Sequence, residues 1–325
     1  NSGQANAATG QAGVDANLQM AQETARLLKV ETEQVLMAST GVIGVVPQLD
    51  KILPSLPELM QRSGDTAESF ALAILTTDLV PKTVTTTVDL SGGTIRITGV
   101  AKGSGMIHPN MGTMLGYLLT DAQLTEEQAD QMLKRTNDIS FNMISVDGDT
   151  STNDCVFLLA NGTTGVSLRT HADEKAFEEA LRGISQFLAQ SVARDGEGAT
   201  KLLEVTIQGS PSLELARRSA RSITISPLIK TAIHGADPNW GRVLARLGAE
   251  QVPADVLDRM SLTIQDVTLF QDGAPMSFVP EEVKKLLKQD KISIIVDLKS
   301  GTHSATAWGC DLSKKYVEIN GDYTT

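Results

Sequence analysis

Thr83-Val-Thr-Thr-Thr-Val-Asp-Leu90, Ser91-Gly-Gly93 and Thr94-Ile-Arg-Ile-Thr-Gly-Val100 follow one another without a break. Two β-branched runs around a glycine turn predict an antiparallel hairpin. Hairpins mixed with helices point to α+β and away from a doubly wound parallel sheet. Upstream, Leu18, Ala21, Ala25 and Leu28 recur at three-to-four spacing and predict an amphipathic helix over 14–29. Asp65-Thr-Ala-Glu68 has the pattern of a capping box opening a helix through Leu75. Downstream, Thr125-Glu-Glu-Gln128 is a second capping box, with its helix running toward Lys134. Strands are expected over 157–160, 202–208, 260–269 and 292–298, and helices over 174–193, 212–221, 239–248 and 280–288. Tyr316-Val-Glu-Ile319 alternates like one more strand. Strands in both halves of the chain suggest a layered α/β sandwich with mixed, largely antiparallel sheets, and no low-complexity linker separates swinging domains.

The chain has 325 residues, 41% apolar and 21% charged, enough to bury a sizeable core. Its net charge of −11 argues against nucleic-acid or membrane-surface partners, which are polyanions. Arg217, Arg218 and Arg221, and Lys284, Lys285 and Lys288, read as solvated helix faces. Two cysteines, Cys155 and Cys310, are too few for a disulfide scaffold and fit a reducing compartment. The opening Asn1-Ser-Gly-Gln-Ala-Asn-Ala-Ala lacks the basic and apolar segments of a signal peptide.

The stretch richest in chemistry is Val100-Ala-Lys-Gly-Ser-Gly-Met-Ile-His-Pro-Asn-Met-Gly-Thr-Met-Leu115. Lys102 puts a cation into an otherwise uncharged run, Gly103, Gly105 and Gly112 permit unusual backbone shapes, and Thr113 precedes an apolar element. A phosphate-binding loop is excluded, because it would end in Gly-Lys-Ser/Thr before a helix. Taken alone, the segment reads first as a tight turn ahead of a core strand or helix. His108, His171, His234 and His303 are dispersed without metal-type spacing, so no metal site is expected. Asp147-Gly-Asp149 lacks the rest of a calcium loop. Cys155 reads as a small buried residue, and Trp240 and Trp308 as core anchors.

Further phrases stand in order along the chain: Asn1-Ser-Gly-Gln-Ala-Asn-Ala, Ala38-Ser-Thr-Gly-Val-Ile-Gly44, Leu75-Thr-Thr-Asp78, and Ser145-Val-Asp-Gly-Asp-Thr-Ser-Thr-Asn-Asp154. Then come Ala193-Arg-Asp-Gly-Glu-Gly-Ala-Thr-Lys201, His234-Gly-Ala-Asp-Pro-Asn-Trp-Gly-Arg242, Ala307-Trp-Gly-Cys-Asp-Leu312 and Asn320-Gly-Asp-Tyr-Thr-Thr325. With the Lys102–Leu115 run, they resemble the ornithine acetyltransferase family, the bifunctional glutamate N-acetyltransferases of arginine biosynthesis. The resemblance implies a self-processing fold of the N-terminal-threonine nucleophile type, cut between Gly112 and Thr113. Residues 1–112 and 113–325 would then be two fragments, the first of them lacking the family's first segment. Gly112 stands where the family usually has alanine. Thr113 is implied as nucleophile, Thr40 and Gly41 as oxyanion donors, and Thr76, Lys102, Thr113, Glu197, Asn320 and Thr325 as substrate contacts. The implied substrates are N-acetylornithine and glutamate, with acetyl-CoA as a further donor in some members and no cofactor. The implied partners are the chain's own fragments, paired as a heterotetramer or larger assembly, in the cytoplasm or, in eukaryotes, the mitochondrial matrix.

The residue types suit that chemistry. Breaking an amide through a covalent acyl-enzyme divides one hard step into two. A threonine hydroxyl needs a base, and cleavage before Thr113 would free an α-amino group with a reference pKa of about 7.7–8.0 beside it. Lys102 suits the α-carboxylate shared by both substrates, and Glu197 an ornithine ammonium, although a loop charge is the plainer reading of Glu197. A self-processing aminopeptidase or amide hydrolase is the alternative, separated from transfer by whether water reaches the acyl-enzyme.

Overall fold

A computed structural model describes residues 2–62, 67–108 and 114–322. The hairpin is present as β1 (Lys82–Leu90) and β2 (Gly93–Lys102), nine residues paired in register from Lys82 with Ala101 to Leu90 with Gly93. β2 pairs antiparallel with β3 (Leu115–Thr120), and β3 pairs parallel with β4 (Cys155–Ala160), giving one sheet in the order β1-β2-β3-β4. The second sheet takes β5 (Leu202–Ser210), β6 (Ser261–Ile264), β7 (Val267–Gln271), β8 (Ala274–Pro275), β9 (Lys291–Asp297) and β10 (His303–Cys310). Its order is β10-β5-β9-β6-β7-β8, antiparallel throughout except between β5 and β9. The fold is therefore α+β with two mixed, largely antiparallel sheets, as expected.

Helices α1 (Gly10–Leu28), α2 (Leu49–Gln61) and α3 (Ala67–Ala73) precede the hairpin, and α4 (Glu126–Asn137) follows β3. After β4 come α5 (His171–Arg194), α6 (Leu213–Ile225), α7 (Pro227–His234), α8 (Trp240–Ala249), α9 (Ala254–Leu257) and α10 (Pro280–Leu286). The last helix is α11 (Lys314–Asp322). α5 is the layer between the sheets. It packs on β1 and β2 on one side and on β10 and β5 on the other. Its stripe of Phe177, Leu181, Ile184, Leu188 and Val192 is buried, as the 3.6-residue period requires of a helix covered on two sides. Thr170 caps its first turn, and Asp173 there also accepts from Ser91 N and Oγ, both at 2.7 Å, pinning the hairpin turn to the helix. Buried Ile95 and Ile97 of β2 join the same hydrophobic core that continues through both sheets.

Several boundaries differ from expectation. The span 260–269 is not one strand but the hairpin of β6 and β7, broken where Gln265 takes φ +53°. Tyr316–Ile319 lies in α11, not in a strand. The Thr125 cap is formed, with its hydroxyl accepting from Gln128 N at 3.2 Å. Asp65 and Thr66 lie outside the described residues, and α3 ends at Ala73, short of Leu75. Trp308 is buried, with its indole N–H donating to Glu204, and Trp240 stacks on Phe270. Arg221 departs from the solvated face expected of its cluster and donates to His108 Nε2 at 2.9 Å. No helix among the described residues is long and apolar enough to cross a membrane.

Candidate active site

Lys102 ends β2 directly opposite Leu115, the first residue of β3. Its side chain is buried, and its ammonium donates to Thr76 Oγ1 at 3.3 Å. Burial pushes the Lys102 pKa down, opposed by the carboxylates of Asp78 and Asp154.

Thr76 is held by the turn between α3 and β1, and the turn is held by Asp78. That carboxylate accepts from Gly103 N at 2.6 Å, Lys82 Nζ at 2.7 Å and Thr76 N at 3.3 Å. Lys82 bridges onward to Asp195 at the end of α5, 2.6 Å from its Oδ2, and Asp195 also accepts from Leu79 N at 3.0 Å. Desolvation pulls the Asp78 pKa up, but the Lys82 charge and hydrogen bond, the Gly103 N–H and the Lys102 charge outweigh it, so Asp78 stays below the usual carboxylate range. Sequence reasoning singled out neither Asp78 nor Lys82 nor Asp195. The polar pairing of an acid and a lysine four residues apart, Asp78 and Lys82, was the available signal.

The glycine-rich loop after β2 is held by its neighbours in the same way. Ser104 donates to Asp195 O at 2.8 Å and its carbonyl accepts from Glu197 N at 2.9 Å. Asp147 accepts from Met106 N at 2.6 Å and Ile107 N at 3.0 Å, so the phrase considered as a calcium loop serves to fix this one. Gly105 passes so close to Glu197 that a Cβ there would sit 2.5 Å from its carboxylate. The far side of Glu197 is met by Asn320 of α11, whose Nδ2 donates to Oε2 at 2.8 Å.

Thr40 and Gly41 are brought in by the N-terminal segment. Val42 N donates to Gly3 O and Ala5 N to Val42 O, both at 2.9 Å, making a short parallel bridge. Gly41 takes φ +128°, and a Cβ on it would lie 2.2 Å from Gly3 O, so only glycine fits. Ser39 Oγ donates to Ala5 O at 2.7 Å and accepts from Asn153 Nδ2 at 3.3 Å, tying this corner to the loop before β4.

Thr40, Gly41, Thr76, Lys102, Glu197 and Asn320 thus line one cavity of about 100 Å³, with Ser104, Met106 and the 151–153 loop completing its wall. Its small size and its mixture of one ammonium, one carboxylate, hydroxyls and two amides suit a small zwitterionic molecule. Gly112, Thr113 and Thr325 lie outside the described residues. Cys155, expected to be buried, is only half-buried, and burial followed by the Asp154 charge pushes its thiol pKa up. His108 is not a site base in waiting: burial and Arg221 hold its pKa down at about 4.

A family model described as the ArgJ family matches residues 1–325. The arginine biosynthesis bifunctional protein ArgJ of Dehalococcoides mccartyi is 46% identical over the whole of this chain and 80% of its own length. The protein of the same name from Thermotoga neapolitana is 44% identical over the whole chain and 83% of its own length. A relative from Oryza sativa subsp. japonica, named as chloroplastic, is 45% identical over the whole chain and 72% of its own length. Among solved structures, the arginine biosynthesis bifunctional protein ArgJ of Bacillus halodurans is 38% identical with a TM-score of 0.63. The match covers 65% of this chain and all of that one.

Proposed function

Because the chain belongs to the ArgJ family of bifunctional arginine-biosynthesis enzymes, we propose that it transfers an acetyl group from N2-acetylornithine to glutamate, through acetyl-Thr113 formed after it cuts itself at Gly112–Thr113. The observation that carries the reading is the single cavity shared by Lys102, Thr76, Glu197, Asn320, Thr40 and Gly41. It lies at the head of β3, whose chain continues backward through Met114 into Thr113.

In this reading Lys102 and Thr76 take the α-carboxylate common to both substrates, which explains one site serving donor and acceptor in turn. Glu197, steadied by Asn320, receives the ornithine ammonium. Thr113 attacks the acetyl carbonyl while its own freed α-amino group takes the hydroxyl proton. Thr40 and Gly41 donate to the oxyanion. Ornithine leaves, glutamate enters, and its amine accepts the acetyl group. The relatives' description as bifunctional supports acetyl-CoA as a second donor to the same threonine.

One further observation fits cleavage into fragments 1–112 and 113–325. β2 and β3 lie on opposite sides of the cut yet pair over six residues, which would keep the fragments together.

Intact mass is the test. The purified protein is expected as two polypeptides, and N-acetylornithine alone should add one acetyl mass to the C-terminal fragment. Thr113→Ala should remain a single chain without transferase activity. Normal cleavage in Thr113→Ala overturns the reading.

A further inference from the structure

Two phrases singled out in the sequence, His234–Arg242 and Ala307–Leu312, take no part in the transfer as read above. The structure brings them together. Asp311, its side chain fully buried, accepts from Thr200 N at 2.7 Å, Thr200 Oγ1 at 2.6 Å, Lys201 N at 2.8 Å and His234 Nδ1 at 2.7 Å. Desolvation pulls the Asp311 pKa up, but the Thr200, His234 and Lys201 hydrogen bonds outweigh it and hold the carboxyl below its usual range. A carboxylate only accepts, so Nδ1 is the nitrogen that carries hydrogen, and the neutral ring keeps its lone pair on Nε2. Nδ1 is turned to a buried partner, so Nε2 is the edge that this exposed residue presents outward.

His234 lies on the wall of a second cavity, of about 850 Å³. The walls are mainly apolar, from Leu79, Ala199, Leu312, Val317 and Ile319, and Leu79 and Val317 are exposed. Apolar side chains gathered in a concavity with a few placed polar groups mark a binding site. Those polar groups are His234 and Thr231 on α7, and Lys314 and Lys315 on the first turn of α11, with Lys315 also pairing with Glu318 at 3.1 Å. Thr77, Ser104 and Glu197 line both this cavity and the candidate active site, so the two adjoin. Their sizes differ in kind. A small zwitterion fills about 100 Å³ and has nothing to lay against the apolar walls next door.

We infer that this groove seats the arm of a long thioester donor, acetyl-CoA, whose acetyl end enters the neighbouring cavity past Glu197. The inference rests on the reading of Thr113 given above and names the place of its second donor. The methylenes of the arm lie against Leu79, Leu312 and Val317, an arm amide N–H donates to His234 Nε2, and the phosphates meet Lys314 and Lys315. Asp311 acts through His234, as a positioning residue that fixes the ring. In the transfer, Thr113 Oγ bonds to the thioester carbonyl carbon, the carbon–sulfur bond breaks, and the hydroxyl proton ends on the departing thiol. Acetylornithine uses none of these walls. The two donors thus share a nucleophile and differ in what carries the acetyl group to it.

Initial rates with glutamate as acceptor, measured separately with each donor on the whole purified protein, test the assignment. His234→Asn keeps an N–H for Asp311 and removes Nε2. Val317→Glu puts a carboxylate into the groove from an exposed helix face, where folding tolerates it. Each should raise KM for acetyl-CoA about tenfold or more, while KM and kcat for acetylornithine stay at the parent values. An unchanged acetyl-CoA KM in both variants overturns the proposal. So does an equal rise for both donors, which would mark a structural effect on the shared site. If Val317→Glu splits an assembly while the acetyl-CoA KM holds, the groove is a contact between copies and the proposal falls. Parent protein that takes acetyl from acetylornithine and not from acetyl-CoA overturns it as well. Parent protein whose C-terminal fragment gains acetyl mass from neither donor defeats the underlying reading instead, so the two failures are distinct.

Discussion

Replacing Lys82 by methionine isolates the interaction that holds the site's floor. The Lys82 side chain is 1% exposed, and it pairs with Asp78, 0% exposed, and Asp195, 7% exposed, at 2.7 and 2.6 Å. Removing the ammonium strands two carboxylates beside each other out of water. Breaking one buried pair by deleting a partner costs about 3–5 kcal/mol. Each carboxylate keeps backbone donors, Gly103 and Thr76 for Asp78 and Leu79 for Asp195, which places the loss near the lower end. About 3 kcal/mol in a chain of this length corresponds to roughly 5 °C in Tm. Urea and thermal unfolding followed by circular dichroism at pH 7 should show it, at matched protein concentration. The pH dependence gives the sign. Asp78 has a depressed pKa in the folded parent, so its contribution is complete above the ordinary carboxylate pKa and is lost as pH falls through its folded value. In Lys82→Met the two carboxyls repel and favour protonation, so acid relieves the variant. The gap between the two proteins should close on acidification, and adding Asp195→Asn to Lys82→Met should recover part of the loss. A variant within 1 kcal/mol of the parent at pH 7 would refute the assignment.

Lys102→Met should raise KM for acetylornithine and glutamate alike by about ten- to a hundredfold, the worth of a charge-assisted contact of about 1.5–3 kcal/mol, with cleavage preserved. An unchanged KM would reassign Lys102 to folding of its loop. Gly41→Ala should lower kcat about a hundredfold, because the new methyl group must displace Gly3 and re-aim the proposed oxyanion donors. Gly44→Ala, where a Cβ meets nothing within 4 Å, is the control for backbone strain alone. Initial-rate plots against both substrates should be parallel, and intersecting lines would indicate direct transfer in a ternary complex. Deleting Tyr323–Thr325 should leave cleavage intact and reduce transfer relative to hydrolysis; undiminished transfer would remove Thr325 from the site.

The elements legible in the sequence were those whose signal is local. The β1–β2 hairpin announces itself through β-branched residues and glycines, and the α4 cap through a reciprocal Thr125–Gln128 pair. The break between β6 and β7 was hidden because Gln265, not glycine, takes the left-handed turn, held by hydrogen bonds from its amide to Leu286 O and Lys291 O. Tyr316–Ile319 misled because four alternating residues fit a strand as well as a helix. That Lys102, Thr76 and Glu197 share one cavity was readable only through ordered motifs, since their meeting depends on packing across some 120 residues of chain.

If the chain is cut as proposed, the ladder between β2 and β3 also makes its history irreversible. An uncut chain forms that ladder as an intramolecular closure, with its ends tethered by the short segment between Lys102 and Leu115. Once the segment is severed, the folded molecule is unchanged in its backbone pairing, but its unfolded state has become two independent molecules. Refolding then depends on protein concentration, where first folding did not. A severed molecule that melts at low abundance faces an encounter problem its precursor never met. On the proposed cleavage, the cut protein would depend on slow unfolding more than on its capacity to fold again, and dilution after denaturation should abolish its recovery while sparing Thr113→Ala.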